Sequence, residues 1–148
     1  MPRLAILNMV IGFVVLSLAA AAGSFVATEA TEAILKDPAL LNTWGQILRR
    51  SAHGHTNLFA MTHILFGLTM PYSSLSSRVK KFQTIGMLSG TIAMSAGMYA
   101  QSFGAGSLDL TAGSVTVGIL LSAALLAIGS HAFGLSIRLV RPSVASHL

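Results

Sequence analysis

Long stretches without a charged residue constrain this chain more than any other feature of its sequence. Each has about the 20 residues that an α-helix needs to cross the hydrocarbon core of a membrane. The sequence therefore predicts an all-α integral membrane protein, with one membrane domain over 1–148 that forms a four-transmembrane-helix bundle. The predicted spans cover about residues 5–27, 52–72, 82–104 and 110–137.

The overall composition supports the membrane class and excludes several others. Of the 148 residues, 53% are hydrophobic and 9% are charged, whereas soluble domains carry about 25% charged residues. A soluble enzyme and an intrinsically disordered chain are both excluded on this ground. The chain has no cysteine, so disulfides and thiolate metal sites are excluded as well. Its net charge of +5 comes from basic residues between apolar runs, and we expect no nucleic-acid partner.

The distribution of basic residues predicts the orientation in the membrane. With four spans, both termini and the loop 73–81 lie on one side of the membrane. That side carries twice as many basic residues as the other, which predicts cytoplasmic N- and C-termini in a bacterial inner membrane or its organelle equivalent. The cytoplasmic set is Arg3, Arg78, Lys80, Lys81, Arg138 and Arg141, against Lys36, Arg49 and Arg50.

The first span has a competing interpretation as a secretory signal peptide. Arg3, the apolar stretch after it and the small residues Ala19–Ala22 match the signal-peptide pattern. We expect a retained helix instead.

The segment between the first two spans predicts an additional helix. Asp37 and Pro38 form a helix start, because an acidic N-cap is followed by proline at the first helical position. The apolar residues that follow share one helical face. We expect an amphipathic interfacial helix over about 38–50, with Trp44 as its membrane anchor. A cap packed on the protein remains an open alternative. The apolar face consists of Leu40, Leu41, Trp44, Ile47 and Leu48.

Small residues recur along the third span at alternating spacings of four and three. This stripe lets another helix, or a flat cofactor, approach the backbone closely. We favour helix packing, within the bundle or against another membrane subunit; lipid is the other expected partner. The stripe consists of Gly86, Gly90, Ala93, Gly97, Ala100 and Gly104.

Histidines are the only ionisable residues well inside the predicted spans, and such residues are functional candidates. Neutral imidazole is a ligand for haem iron, copper and zinc. We therefore predict cofactor or metal ligands among His53, His55 and His63 of the second span and His131 of the fourth. The alternative is that these histidines form hydrogen bonds between packed helices. We expect His147 in the tail to face water, and Asp109 in an outer loop either to face water or to cap the fourth span.

Helical geometry limits which histidines can act together. His53 and His55 point roughly 200° apart on a helix, so they share a metal only if Gly54 breaks the helix. His63 and His131 are expected at similar depth, where two imidazoles can hold a haem as axial ligands. Nearby small residues would make room for the ring, namely Gly67, Gly129 and Gly134. Arg49 and Arg50 are candidates for binding haem propionates, with interfacial snorkelling as the alternative.

The run from Ala52 to Phe59, with Leu65 to Leu68, resembles the His-x-His-x-Asn-Leu helix of small membrane proteins similar to haem–copper oxidase subunit I. The resemblance covers about residues 52–68. It implies that His53 or His55 is an axial ligand of a low-spin haem. The copper-site histidine cluster of that superfamily has no counterpart in this sequence, so oxygen reduction at a binuclear centre is not expected.

Two functions from different classes follow from these patterns. The first is an electron-transfer subunit of a respiratory or other redox complex, which binds haem b and has quinone as a possible partner. The second is a non-catalytic structural or assembly subunit of a larger membrane complex. A copper or zinc site at His53 and His55 is a third hypothesis. In each case we expect a subunit of an enzyme complex and not an enzyme alone.

Overall fold

A computed structural model describes residues 2–104 and 111–140, and within these ranges every regular element is helical. This confirms the predicted all-α class. The predictions for Asp109 and His147 fall outside the described residues. The helices are α1 (Arg3–Lys36), α2 (Trp44–Thr69), α3 (Ser77–Ile92, continued by a π-helical turn Ala93–Gly97 and a last turn Met98–Gln101) and α4 (Ala112–Val140).

Two of the described helices, α1 and α4, are long and apolar enough to cross a membrane. α1 has 34 residues and is about 50 Å long, well above the roughly 30 Å of a hydrocarbon core. It continues past the predicted span end at residue 27 because no proline or glycine interrupts the polar turns that follow. α2 and α3 mix apolar turns with charged and polar side chains.

The four helices run alternately up and down, and they pack as two close pairs. α1 lies along α2, where a Cβ added to Gly12 would be 2.6 Å from the carbonyl oxygen of Ala60. α3 lies along α4, where a Cβ added to Gly86 would be 2.8 Å from the carbonyl oxygen of Ala123. We call the end that holds Arg3 the terminal end, and the end that holds residues 37–43 the loop end.

The hydrophobic core joins these two pairs. It is built mainly from aromatic and methionine side chains of α2 and α3, which suit an irregular space between helices because methionine is flexible. Small alanines of α1 and α4 complete it. The largest core side chains are Phe59, Phe66, Met70, Met87 and Met94.

The predicted interfacial helix over 38–50 is wrong as a single element. Pro38–Asn42 forms a short 3-10 helix, whose first turn is capped by Asp37 accepting a hydrogen bond from the Ala39 N–H at 2.9 Å. Thr43 is extended, and its ψ of 145° ends this helix before α2 begins at Trp44. Residues 44–50 are thus the first turns of α2, and Arg50 donates to the Leu41 carbonyl at 2.6 Å.

The small-residue stripe of the third span packs against α4. Besides Gly86, an added Cβ at Gly97 would be 2.8 Å from Cγ2 of Val117, and one at Gly90 would overlap Ala124. The stripe is therefore a helix-packing surface inside the chain, as the favoured interpretation predicts. Gly104 has no such neighbour within 4 Å.

Candidate functional site

A cavity of about 510 Å³ lies between α1, α2 and α3 in the loop half of the molecule. Its volume falls in the range of about 300–1,000 Å³ that is typical of small-molecule sites. The walls are mostly apolar, from residues such as Val15, Leu18, Ala22, Leu88 and Ile92. Several polar side chains also line it, which are His53, Thr56, Thr91, Ser95, Tyr99 and the pair Glu29 and Arg49.

His53 is the residue of this cavity with the clearest capacity to bind a cofactor. Its ring packs on Gly23 of α1, where an added Cβ would be 2.9 Å from Cε1 of the histidine. Nδ1 of His53 is buried and has no hydrogen-bond partner. Nε2 lies 3.3 Å from the amide nitrogen of Asn57, which also donates to the His53 carbonyl at 3.1 Å. The ring is thus packed against the backbone of α1, and its Nδ1 is not engaged by any hydrogen bond.

Arg49, which the sequence analysis names as a candidate for binding haem propionates, lies at the loop end of the cavity. Its Nη1 donates to Oε2 of Glu29 at 3.0 Å, and its guanidinium lies 5.6 Å from the ring centroid of Phe103. The Arg49 side chain is 21% exposed and its Nε has no partner. Arg49 can therefore still donate to an anionic group in the cavity. Arg50, in contrast, is not among the residues that line it.

His55 is directed away from His53. α2 continues without a break through Gly54, so the two side chains point roughly 200° apart. The ring of His55 bonds locally, with Nδ1 at 2.8 Å from the Ser51 carbonyl oxygen. The structure therefore does not bring His53 and His55 to one metal. In the described part of the chain, no group of three histidine or acidic side chains could hold a metal ion.

His63 is buried in the middle of the bundle, with both ring nitrogens engaged. Nδ1 lies 3.0 Å from Oδ1 of Asn8, and Nε2 lies 3.1 Å from the hydroxyl of Thr91. Binding a haem iron through His63 would break one of these hydrogen bonds. Its role as a haem ligand remains a prediction, and one that requires rearrangement.

His131 lies on α4 nearer the terminal end. Its Nε2 is 2.8 Å from the hydroxyl of Thr69, and its ring stacks on Phe66 at 4.1 Å between centroids. Nδ1 of His131 is buried without a partner. His131 therefore retains one nitrogen that could coordinate.

The glycines expected to make room between His63 and His131 do not do so. An added Cβ at Gly67 would meet the backbone and side chain of Met9, and one at Gly134 would meet Ser73 and Leu75. Gly129 has nothing within 4 Å. A haem between His63 and His131 would therefore have to displace side chains that now pack together.

The terminal end carries its own polar groups. Lys80 donates to the Ser73 carbonyl at 2.8 Å, and Gln83 donates to the Ser130 hydroxyl at 2.8 Å. Burial and the positive charge of Arg138 lower the pKa of Lys80. Lys80 therefore helps to hold the loop 73–81 in place, besides its predicted role in orientation.

Sequence reasoning missed part of the cavity. Thr91, Ser95 and Tyr99 were not singled out, although polar side chains spaced four residues apart in an apolar span were a usable signal. Gly23 gave no signal, because its role depends on where His53 packs. Tyr99 depends on the π-helical turn before it, which sequence periodicity does not reveal.

No protein-family model, curated protein or solved structure matches this chain. The function must therefore be argued from the cavity and its residues.

Proposed function

We propose that this chain is a haem b-binding membrane subunit of a redox complex, with His53 as an axial ligand. One observation carries this proposal: the half-buried imidazole of His53, whose buried Nδ1 has no hydrogen-bond partner, lines an apolar cavity of about 510 Å³. A buried polar atom without a hydrogen-bond partner costs free energy. This cost would be offset if the nitrogen coordinated a ligand, whereas it is not offset if His53 is only a packing residue.

The residues around His53 suit a flat, amphipathic group. The small side chains of Ala19 and Ala22 line the cavity and let a flat group approach α1 closely, while Gly23 lets the His53 ring do the same. Arg49 has one donor without a partner, its Nε–H, and we propose that its guanidinium binds a carboxylate at the loop end. The sequence resemblance points to the same outer end of the same helix, with His53 or His55 as the ligand.

Haem in this site would supply one-electron chemistry, and His53 would hold it through its imidazole. Of the described residues, His53 is the only histidine that lines the cavity. We therefore propose that a second protein ligand would come from a neighbouring subunit, which suits electron transfer between subunits.

The membrane assignment is part of the same proposal. α1 and α4 are long and apolar enough to span a bilayer. We propose that α2 and α3 cross with them as a four-span bundle with cytoplasmic termini. Their polar side chains, including His63 and Thr91, bond to one another inside the bundle, as spanning segments require.

The test is a reduced-minus-oxidised visible spectrum of the protein purified in mild detergent, with iron, copper and zinc measured on the same sample. We expect a b-type spectrum with one iron per chain or per assembly, and no stoichiometric copper or zinc. His53→Ala should abolish the haem signal while His55→Ala, the matched control two residues away, retains it. Gel filtration and circular dichroism establish that both variants fold.

Other outcomes assign the site differently. Loss of haem in His63→Gln or His131→Gln, but not in His53→Ala, would overturn the assignment in favour of the pair nearer the terminal end. Stoichiometric copper or zinc that depends on His53 would replace haem with a metal site. A spectrum without haem or metal would leave a structural or assembly subunit as the function.

A further inference from the structure

A chain of buried hydrogen bonds runs from the cavity wall into the middle of the bundle. Thr91 lines the cavity, and its hydroxyl lies 3.1 Å from Nε2 of His63. Nδ1 of His63 lies 3.0 Å from Oδ1 of Asn8, whose amide nitrogen is 2.9 Å from the hydroxyl of Thr84. The haem proposal uses none of these residues, although His63 can carry a proton.

The orientation of the Asn8 amide fixes the tautomer of His63. The amide nitrogen of Asn8 lies 2.8 Å from the Leu4 carbonyl oxygen, and a carbonyl only accepts hydrogen bonds. Oδ1 of Asn8 must therefore be the atom that faces His63. Because Oδ1 is also only an acceptor, Nδ1 of neutral His63 carries the hydrogen, and Nε2 carries the lone pair.

The lone pair on Nε2 of His63 is thus directed at the hydroxyl of Thr91, a residue that lines the cavity. Thr91 donates its hydroxyl proton to Nε2 in this state. The same hydroxyl lies 3.0 Å from the Met87 carbonyl oxygen. If His63 gains a proton at Nε2, Thr91 can accept from it and donate to Met87 instead. Both protonation states of His63 can therefore be fully hydrogen-bonded.

We propose that Thr91 and His63 together accept a proton from the hydroxyl group of an apolar molecule bound in the cavity, such as a hydroquinone or phenol. The O–H bond of the ligand breaks and its proton passes to Thr91, while the hydroxyl proton of Thr91 passes to Nε2 of His63. The products are a ligand oxyanion and the imidazolium of His63, and no electron is transferred. The inference goes beyond haem binding and concerns the haem-free chain, because haem on His53 and the phenolic ligand would occupy the same cavity.

No ionisable group competes with His63 for the proton among its own described hydrogen-bond partners, which are Asn8 on α1 and Thr91 on α3. The ionisable side chains that line the same cavity are His53, Glu29, Arg49 and Tyr99. Glu29 and Arg49 pair with each other. The bases to be distinguished are therefore His53, which lines the cavity directly, and His63, which is reached through Thr91; substitutions of Thr91 and His63 separate the two.

The probe is 4-nitrophenol, an apolar phenol whose visible absorption distinguishes its neutral and ionised forms. It is added to the haem-free full chain in detergent, and the ionised fraction of the bound phenol is measured as a function of pH. We expect wild type and Thr91→Ser to ionise the bound phenol at a lower pH than Thr91→Val, which keeps the shape of threonine but lacks the hydroxyl. His63→Gln, which can still form hydrogen bonds but cannot take a proton, should behave like Thr91→Val.

A second measurement follows His63 itself. Ring ¹⁵N signals of labelled histidine, assigned with His63→Gln, should show the Nδ1–H tautomer at high pH. On binding 4-nitrophenol they should move towards the imidazolium in wild type but not in Thr91→Val. An Nε2–H tautomer, equal ionisation in wild type and Thr91→Val, or failure of the phenol to bind would each overturn the proposal. Haem content is scored separately, so either proposal can fail alone.

Discussion

His53 and His63 lie ten positions apart on α2, yet their neighbours give them opposite environments. His63 is fully buried and both of its nitrogens are bonded. His53 borders a cavity and keeps a buried nitrogen without a partner. The contrast teaches that burial alone does not identify a ligand, because the partners of each ring nitrogen decide what it can bind.

The loop end and the middle of the bundle differ in the same way, because their buried polar atoms differ in whether they have hydrogen-bond partners. Buried atoms of Gln46, Arg49, His53 and Gln101 near the loop end lack hydrogen-bond partners, as do Oε1 of Gln83 and Nδ1 of His131 nearer the terminal end. The middle of the bundle instead holds the bonded set of Asn8, His63, Thr84 and Thr91. Since unpartnered buried polar atoms cost free energy, we expect the loop half to contribute binding and the middle to contribute stability. The following substitutions test that division, from the largest expected effect to the smallest.

Asn8→Leu should have the largest effect on stability. It removes hydrogen bonds to Leu4, Thr84 and His63 and leaves the Nδ1–H of His63 buried without an acceptor. We expect the free energy of unfolding to fall by about 2–3 kcal/mol, measured by denaturation in mixed detergent micelles. The control Ser17→Ala alters an exposed hydroxyl bonded within α1 and should change it by less than about 0.5 kcal/mol. Equal losses of unfolding free energy in Asn8→Leu and Ser17→Ala would refute the expectation that the middle of the bundle contributes stability.

Gly90→Ala should have the next largest effect. Its added methyl would overlap Ala124 of α4 and approach Phe59, 2.7 Å from Cε1. Overpacking of this kind costs about 1–3 kcal/mol, in the same denaturation assay. Gly118→Ala is the matched control, because nothing lies within 4 Å of its added Cβ and alanine favours a helix by about 1 kcal/mol. The two glycines should therefore give changes of opposite sign.

Ala22→Leu should have the smallest effect on stability and a large effect on binding. The larger side chain fills part of the cavity, so we expect a change in unfolding free energy of less than about 1 kcal/mol. Haem content and 4-nitrophenol binding should both drop sharply. Ala20→Leu, two residues away on an exposed position that does not line the cavity, should leave both unchanged. A strongly destabilised Ala22→Leu would mean that the cavity wall also supports the fold.

The sequence predicted the helical class and the order of the helices because charge-free stretches and basic connections are local features. It also identified the histidines and Arg49 as candidate site residues. It could not predict which histidine lines a cavity, since that depends on Gly23 and Thr91 from two other helices. The interfacial helix over 38–50 failed because apolar periodicity continued across Thr43, where the backbone becomes extended.

The π-helical turn Ala93–Gly97 sets the rotation of everything that follows it in α3. A π turn holds one residue more than an α turn, and each residue rotates an α-helix by about 100°. Deleting a single residue there would restore an ordinary helix and turn Tyr99, at the cavity wall, about a quarter of a circle away. The position of Tyr99 therefore depends on the number of residues in this five-residue turn. Deleting Ala93, Met94 or Gly97, none of which lines that cavity, tests the dependence without removing a cavity side chain.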